Sequence, residues 1–161
     1  MAKKDSYYDS TAANYNELHG QEQKAKARLI LENIKPRKSW LMLDIGAGTG
    51  ISTALFPCRK MCIDPSLELL KQNPFPSIQA SAESIPFKDH SFDLVVSITA
   101  VHNFKDIEKG LKEIKRVGKR LFVITVLKKS GKKDLIGSLI RKHFKVVKVF
   151  EEEHDIIYIL N

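Results

Sequence analysis

The chain has 161 residues, 43% hydrophobic and 29% charged, a length and balance that suit one soluble globular domain with its own core. No apolar run approaches the roughly 18 residues of a membrane helix, the first residues lack the apolar stretch of a secretory signal, and no repeat, low-complexity tract or long linker is visible. The formal net charge of +8 is uneven: residues 105–148 carry 15 basic and 4 acidic side chains, whereas residues 1–104 carry 12 and 11.

Residues 6–19 read as one or two short helices, with Tyr8, Ala12, Tyr15 and Leu18 or His19 recurring along one stripe. Gly20 is expected to break that stretch. Gln21 to Ile34 then reads as a longer amphipathic helix, closed by Pro36. Trp40 to Leu43 is apolar throughout, as in a strand buried on both faces of a parallel sheet. Asp44 and the glycines Gly46, Gly48 and Gly50 follow, and a helix is expected over Ile51–Phe56 until Pro57 stops it. Strand, glycine turn and helix start form a ligand cradle, with free N–H groups expected at the helix N-terminus. Dinucleotide folds place a small third residue in G-x-G-x-x-G/A, and here Ile51 stands at that position.

Arg59–Ile63 reads as the second strand, ending at Asp64. Cys58 and Cys62 flank its start; their C-x-x-x-C spacing without a second pair argues against zinc and for buried free thiols in a reducing cytoplasm. Asp64 lies 18 residues beyond Gly46, where an acid at the end of strand two can hold a ribose by its hydroxyls. Pro65 follows, and Ser66 caps a short helix, Leu67–Gln72. Ser77–Ala80 is a short edge strand, because Pro76 there removes no ladder bond.

Ser91–Ile98 is the fourth strand. Beyond it His102 is the obvious base at the strand ends, the side on which open α/β sheets bind ligands. Asp106–Val117 is a helix with Ile107, Leu111, Ile114 and Val117 toward the sheet. Leu121–Leu127 is the fifth strand, and Lys128, Lys129, Lys132 and Lys133 follow it. Leu135–His143 is a helix with Leu135, Ile136, Leu139 and Ile140 apolar. Phe144–Phe150 and Asp155–Leu160 are too close for a crossover, so they form an antiparallel hairpin.

The segment Asp44-Ile45-Gly46-Ala47-Gly48-Thr49-Gly50 resembles motif I, D-x-G-x-G-x-G, of the class I S-adenosylmethionine-dependent methyltransferases. Tyr8, Asp9, Ala12 and Tyr15 match the Y-D-x-x-A-x-x-Y segment of the small UbiE-like, type 11 group, where it lies over the cofactor as a lid. Ser81-Ala82-Glu83-Ser84-Ile85-Pro86-Phe87 is similar to the D-A-E-x-L-P-F segment that wraps the adenine, with Ser81 in place of the aspartate. Phe92-Asp93-Leu94-Val95-Val96-Ser97 resembles the fourth strand of the group. The N-P-P-Y of amine methylation is absent, and so is the proline-glycine-glycine turn before strand five.

The resemblance implies a doubly wound, seven-stranded, mostly parallel sheet with a C-terminal antiparallel hairpin, in one domain over 1–161: a helical lid segment, 1–38, and a core, 39–161. It implies methyl transfer from S-adenosylmethionine. The implied cofactor residues are Tyr8, Tyr15, Asp44, Gly46, Ala47, Gly48, Asp64, Pro65, Ser81, Ala82 and Ser97; the residues themselves point to His102 as the catalytic base, to no metal and to no membrane. Asp44 suits the cofactor's ammonium, as a diphosphate has no use for an acid at the turn. The acceptor is left open among RNA, a small molecule and a protein, and an activating protein partner fits so small a form of the fold. The rival from another class is a non-catalytic subunit that keeps the cofactor fold and binds RNA or a partner.

Overall fold

The computed structural model describes residues 15–161, so Tyr8 and the rest of the first expected turn lie outside the described residues. The first helix, α1, is Tyr15–Asn33. It runs through Gly20 rather than ending there. A Cβ on Gly20 would stand 3.3 Å from Ile51 Cδ1, so this glycine marks a close helix-to-loop approach and not a break.

Strand β1 is Leu41–Ile45. The helix expected after the glycine turn is reduced to one 3-10 turn, Thr53–Leu55. Ser52 and Thr53 are weak helix formers, and the Thr53 hydroxyl is engaged with Asp44 at 2.6 Å. Strand β2, Arg59–Asp64, is followed by a short helix α2, Leu67–Leu70, whose N-cap Ser66 accepts the Leu69 N–H. The edge strand β3, Ser77–Gln79, leads through a loop to β4, Phe92–Ser97. A 3-10 turn, Val101–Asn103, precedes α3, Ile107–Val117, which Asp106 caps by accepting the Lys109 N–H. Strand β5, Gly118–Leu127, helix α4, Lys133–His143, and strands β6, Val146–Glu151, and β7, Asp155–Leu160, complete the chain.

The seven strands form one sheet in the order β3-β2-β1-β4-β5-β7-β6. The pairs β1–β2, β2–β3, β1–β4 and β4–β5 are parallel, and β7 runs antiparallel to both β5 and β6. The hairpin is therefore present, with its second strand inserted beside β5. Residues alternate between two apolar layers, as the strand period of two requires. Leu43, Ile45, Val95 and Ile124 pack with Ile107, Leu111, Ile114 and Val117 of α3 and with Ile136 and Ile140 of α4. On the opposite face Met42, Leu94, Val96 and Val123 pack with Ala27 and Ile30 of α1 and with Ile34 just after it. Leu135, expected on the apolar stripe of α4, is 54% exposed.

Cys58 and Cys62 are buried and free, and burial pushes the Cys62 thiol up to about 12. Among the described residues no His, Cys, Asp and Glu side chains gather in a group able to hold a metal, and no helix is long and apolar enough to cross a membrane. Strand order reverses between β1 and β4, so the crossovers diverge there and leave a crevice at the strands' C-terminal ends.

Candidate active site

A cleft opens at that switch point. Its walls include Gly46 and Gly48 after β1, Asp64 and Pro65 at the end of β2, Ser81 and Ala82 after β3, and Ile98, Thr99 and Ala100 after β4. Leu69, Glu83, Asn103, Phe104 and Lys105 also reach it. Six of the residues singled out in the sequence thus come together here: Gly46, Gly48, Asp64, Pro65, Ser81 and Ala82.

The glycine turn takes its shape from positive φ at Gly46 (73°), Gly48 (54°) and Gly50 (80°). A Cβ on Gly46 would fall 2.6 Å from the Ala100 Cβ, so the loops after β1 and β4 touch only because that side chain is missing. The Gly46 and Ala47 N–H groups both donate to the Ile63 carbonyl, and the Gly50 N–H donates to the Ala47 carbonyl. The Gly48 N–H donates to Asp64 Oδ2 at 2.9 Å. The free N–H groups expected at this turn are therefore engaged inside the protein. The Asn73 amide braces the turn from outside by donating to the Gly48 carbonyl at 3.0 Å.

Asp64 works on both sides of the crevice. Its second oxygen, Oδ1, accepts the Ser66 N–H at 2.8 Å, so one carboxylate ties the glycine turn to the start of α2. Asp44 is 1% exposed and does not line the cleft. Burial pushes its carboxyl up to about 7; the Thr53 hydroxyl opposes that rise and the Asp64 charge adds to it.

Ala47, Ser97 and His102 do not line the cleft. Ala47 lines a small polar recess with Gln23, Thr49, Ile51 and Ser52, between α1 and the glycine turn. Ser97 is fully buried and its hydroxyl donates to the Ile45 carbonyl, which joins β4 to β1 just below the cleft. Tyr15 is the first residue of α1. His102 sits on the 3-10 turn beside cleft-lining Asn103, and its backbone carbonyl accepts from Lys132 Nζ at 3.4 Å. Sequence reasoning missed Thr99, Ala100, Asn103, Phe104 and Lys105 as cleft residues, because the loop after β4 carries no glycine or paired-acid signature.

The geometry argues about the ligand. A diphosphate needs unengaged N–H groups at the glycine turn, and those of Gly46, Ala47, Gly48 and Gly50 are taken. What the cleft offers instead is a carboxylate at Asp64, which suits hydroxyl donors, and apolar walls from Pro65, Leu69, Ala82 and Phe104, which suit a purine. Glycine at positions 46 and 48 of the cleft wall leaves room for a chain lying close to the backbone.

Residues 43–121 match the family model described as a methyltransferase domain. An uncharacterised protein of Methanocaldococcus jannaschii, MJ1252, is 31% identical over 150 residues, 88% of this chain and 59% of its own length. The demethylmenaquinone methyltransferase of Chlorobaculum tepidum is 35% identical over 101 residues, 57% of this chain and 40% of that protein. This chain therefore spans about half the length of the curated relatives it matches. Among solved structures, a chain from the complex between the Haloferax volcanii Trm112 methyltransferase activator and its methyltransferase superposes with a TM-score of 0.80 at 16% identity, over 95% of this chain and 96% of its own. With the glycine turn, the acid ending β2 and the seven-stranded order all in place, residues 43–121 carry a methyltransferase domain, and the chain has the fold of the class I S-adenosylmethionine-dependent methyltransferases.

Proposed function

We propose that the protein binds S-adenosylmethionine in this cleft and directs its methyl group to an acceptor entering beside the loop after β4. The observation that carries the reading is the glycine turn. Its N–H groups are engaged within the protein, while the Asp64 carboxylate lines the cleft, so the site favours a ligand with hydroxyls and positive charge over a dinucleotide.

In this reading Gly46 and Gly48 admit the methionine portion, and Asp64 accepts protons from the ribose hydroxyls. Pro65 and Ala82 flank the adenine, and the Ser81 hydroxyl accepts from its amino group. Asp44 lies beneath the turn, held by the Thr53 hydroxyl, and its carboxylate favours the ammonium in the fraction of molecules where it is ionised. Ala47 and Ser97 hold the backbone on which these residues stand. Tyr8, outside the described residues, and Tyr15, at the start of α1, are assigned to the lid segment over the cofactor, while the later turns of α1 pack on the sheet as part of the core. S-adenosylmethionine brings a methyl group already activated by a sulfonium, so the protein's contribution is placement of the acceptor in line with it. His102 is the proposed base for an acceptor that must lose a proton.

The proposed acceptor is RNA. Lys105 lines the cleft and Lys132 stands at its mouth against His102, so a polyanion would meet positive charge where the reaction occurs. The Haloferax neighbour was solved with an activator, which supports a protein partner for this chain as well. The cytoplasm is the proposed compartment, consistent with two buried free thiols.

Isothermal titration with S-adenosylmethionine and with NAD tests the cofactor. Micromolar binding of the first alone is expected, and binding of NAD alone overturns the reading. Incubation with methyl-labelled cofactor and cell extract then tests the acceptor. Label in the RNA fraction is expected; label confined to lipid or protein overturns that assignment.

A further inference from the structure

Thr99, in the loop after β4, has φ of +53°. A β-branched residue in the left-handed region is an outlier that persists only where its surroundings enforce it. Here both of its donors are fixed. Its N–H donates to Thr125 Oγ1 at 2.8 Å, and its hydroxyl donates to Asp155 Oδ2 at 2.8 Å. That hydroxyl also accepts from Lys26 Nζ at 2.8 Å. The Thr125 hydroxyl closes the circuit by donating to the same Asp155 oxygen at 2.6 Å.

The circuit rests on an ion pair, Lys26 with Asp155 at 3.2 Å, in which neither side chain has any exposed surface. Glu22 at 3.3 Å and Glu152 at 3.8 Å add further negative charge around the one ammonium. A buried ion pair is a poor source of stability, since desolvation offsets most of the attraction and apolar replacements of similar volume are often as stable. This pair joins α1, β7 and, through Thr125, β5 beneath one residue of the cleft wall.

We infer that Lys26, Asp155 and Thr125 are positioning residues, which hold Thr99 in its left-handed conformation and so fix Ile98 and Ala100 against the glycine turn; the inference rests on the cofactor reading above. The mechanical link is short. Thr99 and Ala100 line the cleft, and the Ala100 Cβ occupies the space that a Gly46 side chain would need. If Thr99 leaves the left-handed region, the chain direction changes at Ala100 and the contact with Gly46 is lost. The strained residue thus sets the wall between the methionine end of the cofactor pocket and the acceptor's approach.

Two substitutions at one position separate positioning from ordinary packing. Thr99→Val keeps the branched shape and removes the hydroxyl that enforces the conformation. Thr99→Gly removes more contacts but adopts positive φ without a steric penalty. Neither breaks the Lys26–Asp155 pair, so both are expected to fold. Titration calorimetry with S-adenosylmethionine is expected to show Thr99→Val weakened by about tenfold, the factor that 1.4 kcal/mol represents. Thr99→Gly is expected to bind clearly more tightly than Thr99→Val. Equal affinities, or the glycine variant as the weaker, overturn the inference. If the parent protein binds no S-adenosylmethionine, the cofactor reading fails and the Thr99 amide decides the inference alone. Its exchange with solvent, slow in the parent through the bond to Thr125, is expected to accelerate in Thr99→Val, and unchanged exchange overturns the positioning role.

Discussion

Asp64→Asn removes a charge with almost no change in shape, and its two consequences are separable. The carboxylate accepts two backbone N–H groups, from Gly48 at 2.9 Å and from Ser66 at 2.8 Å, one on each oxygen. Asparagine has one carbonyl oxygen. Whichever way the amide turns, its NH2 faces the other N–H, and a buried donor is left unpaired. That costs about 1–3 kcal/mol of folding stability. The second consequence appears on binding. A carboxylate that accepts ribose hydroxyls contributes about 1.5–3 kcal/mol as hydrogen bonds to a charged group. At 1.4 kcal/mol per decade, its loss weakens Kd by about 10- to 150-fold. Denaturant unfolding measures the first effect and titration with S-adenosylmethionine at a temperature where the variant is folded measures the second. Asp64→Ala, which leaves both N–H groups unpaired, should lose at least as much of each. A destabilised Asn variant that binds within twofold of the parent would confine Asp64 to holding the glycine turn, and the ribose assignment would fall.

Gly48→Val places a branched side chain at φ of +54°, so it should lower stability by roughly 1–2 kcal/mol and abolish S-adenosylmethionine binding in the folded fraction. Retained binding, measured by calorimetry beside a melting curve, would make the turn structural only. The Asp44 carboxyl is raised by burial to about 7 from 3.8, so the folded chain holds an extra proton between those values, and stability falls as pH rises through that window. Asp44→Asn keeps an acceptor for Thr53 and lacks the charge; relative to the parent it should gain on the order of 4 kcal/mol between pH 4 and pH 8, at 1.36 kcal/mol per unit. A pH-independent difference between the two unfolding curves contradicts this. Changing Lys128, Lys129, Lys132 and Lys133 to glutamine should weaken total-RNA binding and flatten its salt dependence while leaving cofactor affinity unaltered. Equal RNA retention by the variant, or none by the parent, removes RNA as the acceptor.

Much of the fold was legible because its signals are local. Buried parallel strands show as short apolar runs, Asp106 and Ser66 announce helix starts, and three residues between β6 and β7 allow only a hairpin. The glycine turn and Asp64 were legible for the same reason, since chain reversals need particular residue types. What stayed hidden depends on partners far along the chain. The turn's N–H groups appear free in sequence, and it is Ile63 and Asp64 of β2 that engage them. Lys26 stands among Gln23, Ala27 and Ile30 on the buried stripe of α1, an anomaly that acquires meaning only beside Asp155. Thr99 gave no sign at all, because positive φ is advertised by glycine or asparagine and not by a β-branched residue.

The unusual backbone of the described residues is concentrated at the cleft. Gly46, Gly48 and Thr99 line it with positive φ; Gly50, in the same glycine turn, and His90, before β4, are the other such residues. The glycines adopt that conformation without steric penalty, whereas Thr99 needs the buried network to offset it. In both loops the restraint comes from a neighbouring strand. Ile63 and Asp64 of β2 hold the turn after β1, while Thr125 of β5 and Asp155 of β7 hold the loop after β4. The cleft's shape is therefore written in the register of the sheet, where a slip of one residue would reverse every side chain. Transfer of an already activated methyl group depends on in-line placement, and misplacement by about 1 Å can cost a hundredfold in rate. A sheet with a fully buried core is a stiffer gauge for that distance than loops holding one another. Restraint from the strands is what fixes both loops of the site.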